Sequence, residues 1–544
     1  MRINIIDNKS ARVYRKIKVR PLPSSIMAIL KENLENKTWE NVFNEESANK
    51  KADIFHSELM QIIEKFAPEK TRTVSNDDQP WFTEALKKID KLRRREYRHN
   101  RRSKRYLELQ QHYKIKCKQE KKKFFKKMVR QVREANPSQW YSLLKRIGNY
   151  DQEKSNEFQI SEICHLSDQD QAEAIADSFN SITQEYQEVS KDDIKIPEFS
   201  ADTIPNFSPW QVRSYMEKIK TNKATIPGDI PAKIMKEFAS LLCVPLADII
   251  NTSIKTGSWP DRYKHELITS VGKVFPVESM KQLRPISNLP LCDKIQEKIV
   301  SEMIISDMKS KLDPTQYGNQ KKTSIQHYLV RLMHRILTNV DRNMKGEINA
   351  VLATFVDWKS AYSRQCHKLG IESFIRNGVR PSLIPVLINY FQNRQMKVKF
   401  HGKTSATRQQ PGSGAQGASL GNWEFISQTN HNADSVPEED RFKYIDDLTV
   451  LEIINLLNIG LSSYNFKNQV ASDIPIEGKF VHKDNLKTQK YLNEINEWTE
   501  NQKMLLSEEK TNSMIINFTN NHQFTTRMTL KDSNIQIVQK MKIL

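Results

Sequence analysis

An α+β fold is what the sequence predicts: an antiparallel sheet carrying helices, preceded by a mostly α-helical basic N-terminal region. In Arg441-Phe-Lys-Tyr444-Ile445-Asp446-Asp447-Leu-Thr-Val450, the residues Phe442, Tyr444, Leu448 and Val450 alternate at period two, as in a hairpin with the acid pair at its tip. About ninety residues upstream, the apolar run Ala350-Val-Leu-Ala-Thr-Phe355-Val356 reads as a buried strand closed by Asp357. The helical part is read from a densely basic stretch over 81–135 that follows a cap-and-proline start at Ser75 to Trp81.

Aspartate is an ordinary turn residue, so the acid pair by itself also reads as a solvated hairpin turn. Asp357 adds a third carboxylate, and three carboxylates converging from a strand end and a hairpin tip would hold two hard divalent cations. Mg²⁺ takes oxygen ligands and leaves positions open for substrate phosphates. Two such ions about 4 Å apart activate a hydroxyl and neutralise a leaving pyrophosphate, which is the chemistry of nucleotidyl transfer.

The 544 residues leave room for three or so domains, and 85 Lys+Arg against 65 Asp+Glu give a net charge of +20. So large and clustered a surplus favours a polyanionic partner, because each cation near a phosphate releases condensed counterions. The five cysteines are odd in number and have no paired spacing, so neither a disulfide scaffold nor a zinc site follows. No run approaches 18 apolar residues and the mean hydropathy is −0.66. The expectation is an intracellular protein without a membrane partner, in the nucleus, the cytoplasm or both.

Taken in order, residues 50–66 carry Ile54, Phe55, Leu59, Ile62, Ile63 and Phe66 at helical spacing. The basic stretch that follows includes Arg93, Arg94, Arg95, Arg101, Arg102, Lys121, Lys122 and Lys123, interleaved with Tyr97, Tyr106, Tyr113, Phe124 and Phe125. A solvated charged face is the usual meaning of such a run. One sign dominates too heavily here for i,i+4 ion pairs, so these residues are expected to contact nucleic acid, as one long helix or a helical hairpin. Residues 139–148 read as a short helix, and 149–207 as a polar connector with an amphipathic segment at 172–186.

Several boxes then fall in sequence: Lys223-Ala-Thr-Ile-Pro-Gly-Asp229-Ile-Pro231, Leu283-Arg284-Pro285-Ile286-Ser287, Gln316-Tyr317-Gly318, Asp357 with Tyr362 five residues on, Pro411-Gly-Ser-Gly414-Ala415-Gln416-Gly417-Ala-Ser-Leu420-Gly421, the acid pair, and Lys510-Thr511. In this order they resemble a reverse transcriptase, and most nearly the polymerases of non-LTR (LINE, jockey-like) retrotransposons, from about residue 200 onward. The resemblance implies a right-hand polymerase with fingers over 208–345, a palm over 346–530 and a truncated end at 531–544 before a thumb, after a basic helical region over 1–148 and the connector over 149–207.

It also implies RNA-directed DNA polymerase activity, with an RNA template, a DNA primer, dNTPs and Mg²⁺, Mn²⁺ being the alternative ion. Asp357, Asp446 and Asp447 would be the catalytic metal ligands, and Lys510 would protonate the leaving pyrophosphate. Lys273 and Arg284 would touch the triphosphate, Tyr362 would exclude a 2′-hydroxyl, and Gln416 with Gly417 would approach the base or sugar.

Asp357-Trp-Lys359-Ser360-Ala361-Tyr362-Ser363 departs from the family's pattern by transposing Lys and Ser and losing a final Asp, and Ala415 stands where proline is usual. With neither an endonuclease nor a complete thumb in view, the chain reads as a truncated element. Its alternative reading is a catalytically decayed relic that still binds nucleic acid. An RNA-templated RNA polymerase fits less well, because an aromatic gate at Tyr362 would be out of place there.

Overall fold

The computed structural model describes residues 14–75, 81–133, 158–222, 225–341, 349–456, 462–464, 478–517 and 524–540. The short helix expected over 139–148 and Lys223 at the head of the first box lie outside the described residues. The chain divides into two compact units, residues 1–33 with 61–157, and residues 34–60 with 158–544. Among the described residues no helix is long and apolar enough to cross a membrane.

In the first unit the strands Tyr14–Val19 and Lys70–Ser75 pair antiparallel. The basic stretch forms two helices, Glu84–Asn100 and Lys104–Arg133, packed on each other as a hairpin. The break has a local cause: the Asn100 side chain accepts the Arg102 N–H at 2.9 Å, and the Ser103 hydroxyl accepts the Tyr106 N–H at 3.1 Å. Short polar side chains thus end one helix and cap the next. Tyr106 is buried in the seam with its ring 5.4 Å from that of Tyr97, and the Arg93 guanidinium lies 4.8 Å over the Tyr113 ring.

The second unit is built on a central sheet in the order Gln536–Ile537, Asn512–Ile516, Asn349–Val356, Asp447–Asn455, Arg441–Tyr444. Its middle strand is buried along its whole length because both faces are covered. Ala350, Leu352 and Val356 join Leu448, Val450, Leu492 and Ile495 in one layer, while Val351, Ala353 and Phe355 join Tyr328, Leu332 and Ile336 in the other. This double burial explains a continuous apolar run in place of strict alternation. The helices supplying those layers are Ile325–Asp341 and Lys487–Asn501. The Glu452 carboxylate accepts the N–H groups of Lys487 and Thr488 at 2.9 and 2.8 Å, an anion at a helix start that ties the second helix to the sheet.

A second sheet holds Leu283–Asn288 antiparallel to His265–Gly272, which in turn runs parallel to Gln395–Phe400. Residues 158–180, part of the stretch 149–207 expected to be a polar connector, are packed onto it. Ile160, Ile163, Ala172 and Ile175 share an apolar layer with Ile268 and Val398, and the helix Asp168–Asn180 lies against Gln395–Phe400. Its apolar stripe is narrow and made partly of alanines, so composition alone reads as polar.

Candidate active site

The acid hairpin forms as its alternation suggests, with Tyr444 paired to Asp447 and the turn made by Ile445 and Asp446. Ile445 stands at the first turn position with φ +59°, a conformation that glycine adopts freely and a β-branched residue does not. Such strain costs on the order of 1–3 kcal/mol and persists only where the surroundings impose it. Here Gln316 imposes it: its side-chain oxygen accepts the Ile445 N–H at 2.9 Å and its amide donates to the Ile445 carbonyl at 3.3 Å. The Gln-Tyr-Gly box is therefore a brace behind the acids. Tyr317 N–H donates to the Lys443 carbonyl at 2.9 Å, and Lys443 N–H to the Thr315 carbonyl at 3.0 Å.

Gly318 completes the brace by absence of bulk. A Cβ there would meet the Ile445 nitrogen at 2.5 Å and its Cγ1 at 2.4 Å. Gly318→Ala is expected to displace the turn and cost about 1–3 kcal/mol, read as a lower urea midpoint. An unchanged midpoint would show that the turn is not held by this contact.

Strand register brings the third acid in. Leu448 pairs with Val356, so one step beyond the strand Asp357 comes opposite Asp447; on the other side Asn512 pairs with Phe355, and a turn at 508–510 then shifts the register so that Trp358 bridges Leu506. Beyond the sheet the pairing continues: Ser507 N–H donates to the Asp357 carbonyl at 2.8 Å, Asp357 N–H to the Thr511 hydroxyl at 3.3 Å, and Lys359 N–H to the Leu505 carbonyl at 2.8 Å. The Lys510 ammonium lies 3.6 Å from the Asp357 carboxylate.

Electrostatics tie the three acids together. Burial, then the neighbouring Asp446 and Asp357 carboxylates, raise Asp447 to about 6. Asp446 is also raised, by burial and by Asp357, against the opposing pull of Arg284 and Lys510. Burial raises Asp357, which Lys510 and Lys273 partly offset. Lys273 itself is lowered by burial and by the nearby Lys510 and Arg284. Among the described residues no trio of His, Cys, Asp or Glu is gathered into a metal-holding group, so the carboxylates are neighbours through register and charge without closing into a ligand set. By chemistry they fit a hard divalent cation: every donor is an oxygen, and the mutual repulsion is what a cation would relieve.

Lys273 and Arg284 sit at the end of the second sheet's hairpin, where Val271 pairs with Arg284 and Lys273 N–H donates to the Gln282 carbonyl at 2.8 Å. The Gly-rich segment joins this hairpin to the residues after Asp357. Gly414 N–H donates to the Tyr362 carbonyl at 2.8 Å, and Ser287 N–H to the Gln416 carbonyl at 2.9 Å. Gly414 leaves no room for a side chain, since a Cβ would fall 1.4 Å from the Gln365 side-chain oxygen, and Gly417 takes φ +109°. The Tyr362 ring stacks on Phe425 at 4.9 Å, and its hydroxyl is raised by burial and by the Asp446 charge. Lys273, Arg284, Tyr362, Gln416 and Gly417 are thus linked to the elements that carry the acids.

The basic N-terminal residues divide. Asp90 takes Arg93 and Arg94, each at 2.7 Å; Arg93 also lies over Tyr113 in the hairpin's seam, whereas Arg94 stays exposed on its own helix. Arg95, Arg101, Arg102, Lys121, Lys122 and Lys123 are exposed, Lys123 standing 3.6 Å from Glu120.

Sequence reasoning missed the anchor under the acid hairpin. The Lys443 ammonium, almost fully buried, meets the Asp313 carboxylate at 2.7 Å and donates to the Asn430 carbonyl at 2.8 Å. Arg441 reaches the same carboxylate at 3.0 Å. Burial alone would raise Asp313, but Lys443 and the Thr315 donors more than offset it and hold the carboxyl at about 2. Burial also pulls Lys443 down, yet its two oxygen partners favour the charged form. The signal in the sequence was a lysine inside the apolar strand Phe442-Lys443-Tyr444.

No protein-family model matches the chain. In sequence it is similar to a transposon-encoded RNA-directed DNA polymerase, as the ordered boxes suggest. That relative is the probable RNA-directed DNA polymerase from transposon X-element of Drosophila melanogaster, 25% identical over 221 residues, which are 40% of this chain and 24% of that protein. The chain thus spans about a quarter of that relative's length. Among solved structures, apo telomerase from Candida tropicalis truncated from its C-terminal domain aligns with a TM-score of 0.32 and 12% identity, over 49% of this chain and 52% of that chain.

Proposed function

We propose that the chain carries the fingers and palm of a non-LTR retrotransposon reverse transcriptase, with fingers over 208–345 and palm over 346–530, and that it extends a DNA primer on an RNA template with dNTPs. The observation that carries this reading is Asp357 at the end of a doubly covered strand, opposite Asp447 by register and with the Lys510 ammonium 3.6 Å from its carboxylate. Asp357, Asp446 and Asp447 would hold Mg²⁺, for which Mn²⁺ could substitute. When bound, the ions supply the charge that activates a primer hydroxyl and stabilises the departing pyrophosphate.

The chain's own groups do the rest. Arg284, with a planar fork suited to phosphate oxygens, and Lys273 bind the triphosphate tail. Lys510 gives a proton to the leaving pyrophosphate. Tyr362, fixed against Phe425 and beside the Asp446 charge, bounds the sugar site. Gln416 and Gly417, held to the Arg284 strand through Ser287, bring backbone close to the incoming base. The exposed basic residues of the N-terminal hairpin, Arg95, Arg101, Arg102 and Lys121 to Lys123, add non-specific phosphate contacts.

The sugar site gives a direct test by primer extension. Tyr362→Ala is expected to raise ribonucleotide relative to deoxyribonucleotide incorporation by about tenfold or more. An unchanged ratio would remove Tyr362 from that role. A second reading, a relic that binds nucleic acid without polymerising, is favoured by one observation: the three carboxylates do not close into a ligand set.

A further inference from the structure

One side chain from the stretch expected to be a connector reaches the candidate site. Past the helix Asp168–Asn180 the chain turns at Ser181–Thr183, and the Tyr186 N–H donates to the Thr183 carbonyl at 3.0 Å. The turn is held from behind by residues just ahead of the strand Gln395–Phe400. The Gln392 side-chain amide donates to the Val189 carbonyl at 2.8 Å, and the Asn393 N–H donates to the Glu188 carboxylate.

From this footing the half-buried Tyr186 hydroxyl lies 3.0 Å from two backbone carbonyls, those of Arg364 and Lys503, which are 178 and 317 residues away in sequence. It has one proton, which the two carbonyls share. Burial raises its pKa, so the hydroxyl keeps the proton it donates. The ring fits against Gly412, where a Cβ would fall 2.5 Å from its Cδ2. The Lys503 ammonium lies 5.6 Å over the same ring, and Lys503 itself takes φ +55°, an uncommon conformation for lysine.

Each of the three segments touched carries part of the site. Arg364 closes the single turn Tyr362–Arg364. Gly412 stands near the start of the Gly-rich segment that leads to Gln416 and Gly417, and Ser413 N–H joins that segment to the Gln365 carbonyl at 2.9 Å. Lys503 lies just before Leu505 and Ser507, which bond to the backbone of Lys359 and Asp357. An aromatic that excludes a 2′-hydroxyl acts by closeness, so its backbone must be held to within about 0.5 Å. A half-buried hydroxyl is ordinarily satisfied by one neighbour or by solvent. Here it spans two segments of the site from a third element outside it.

We propose that Tyr186 is a positioning residue of the sugar site: its hydroxyl fixes the turn that carries Tyr362 against the Gly-rich segment, and so sets how strongly ribonucleotides are rejected. The inference rests on the polymerase reading and deepens it, by adding to the site a residue from the stretch ahead of the fingers.

Tyr186→Phe in the full chain keeps the ring against Gly412 and removes the hydroxyl alone. In primer extension the ratio of ribonucleotide to deoxyribonucleotide incorporation is expected to rise about threefold to fivefold, the size expected of one net hydrogen bond. A merely structural role would lower extension with both kinds of nucleotide alike, and an unmoved ratio therefore overturns the proposal. Hydrogen exchange gives a readout that needs no activity. Amides of residues 362–365 and 412–414 should exchange about threefold to fivefold faster in the variant, with the strand Asn349–Val356 unchanged. Exchange unchanged in both segments, or faster throughout the central sheet, would also overturn it. The two failures separate on the wild type. A wild-type chain that adds neither kind of nucleotide overturns the polymerase reading and the selectivity with it, whereas a wild type that extends beside a variant with an unmoved ratio overturns the role of Tyr186 alone.

Discussion

Asp446→Asn is expected to abolish primer extension while leaving RNA binding intact. Asp446 is the turn residue between Ile445 and Asp447, and asparagine has the same shape and is equally at home in a turn. What the substitution removes is one anionic oxygen donor from a set of three. Loss of about 4 kcal/mol of charge stabilisation in the transition state corresponds to roughly a thousandfold in rate. Stability should move the other way or not at all, because Asp357 and Asp447 repel the charge that is lost. A melting temperature at or above wild type together with absent extension is the expected pair of results. Retained extension would remove Asp446 from the chemistry, and a large drop in melting temperature would make its role structural.

Lys443→Met is expected to be strongly destabilising. It leaves the buried Asp313 carboxylate with Arg441 as its one close cation among the described residues, and breaking a buried pair from one side costs about 3–5 kcal/mol. The acid hairpin is the part released, since Lys443 lies on its first strand. Extension should therefore fall even at temperatures where the variant remains folded. The pair also predicts an acid limb to the stability curve. Asp313 is held at about 2 in the folded chain against 3.8 for an ordinary aspartate, so its contribution is fully present above pH 4 and is lost as pH falls toward 2. In wild type that contribution is about 2 kcal/mol, and in the variant it should be smaller. Urea midpoints at pH 7 and pH 3 measure both. Midpoints for Lys443→Met that match wild type would show that the anchor contributes little.

The hairpin and the buried strand were legible in the sequence because their signals are local: alternation at period two around Tyr444 and Leu448, and an unbroken apolar run before Asp357. The three acids, Lys510, Arg284 and Tyr362 could be named for the same reason, each standing in or beside a short box. What brings them together could not be read, because register belongs to pairs of strands. Val356 opposite Leu448 and Phe355 opposite Asn512 are partners more than ninety residues apart in sequence in one case and more than a hundred and fifty in the other. The Lys443–Asp313 pair is hidden likewise, linking two segments 130 residues apart (443 − 313). The strand Gln395–Phe400 is a further case, since its parallel partner His265–Gly272 lies far upstream. In the basic stretch, Ser103 is the cap that divides the helices, and one serine amid so many charges carries little weight until its hydroxyl is seen on the Tyr106 N–H.

Primer extension by the wild-type chain on an RNA template with a DNA primer tests the central claim most directly. With dNTPs and Mg²⁺, a ladder of extended products that is lost on chelating the metal, and that ribonucleotides do not support, is the result predicted. A folded chain that binds the primer–template yet adds no nucleotide with either Mg²⁺ or Mn²⁺ would contradict it, and would leave nucleic-acid binding as the function.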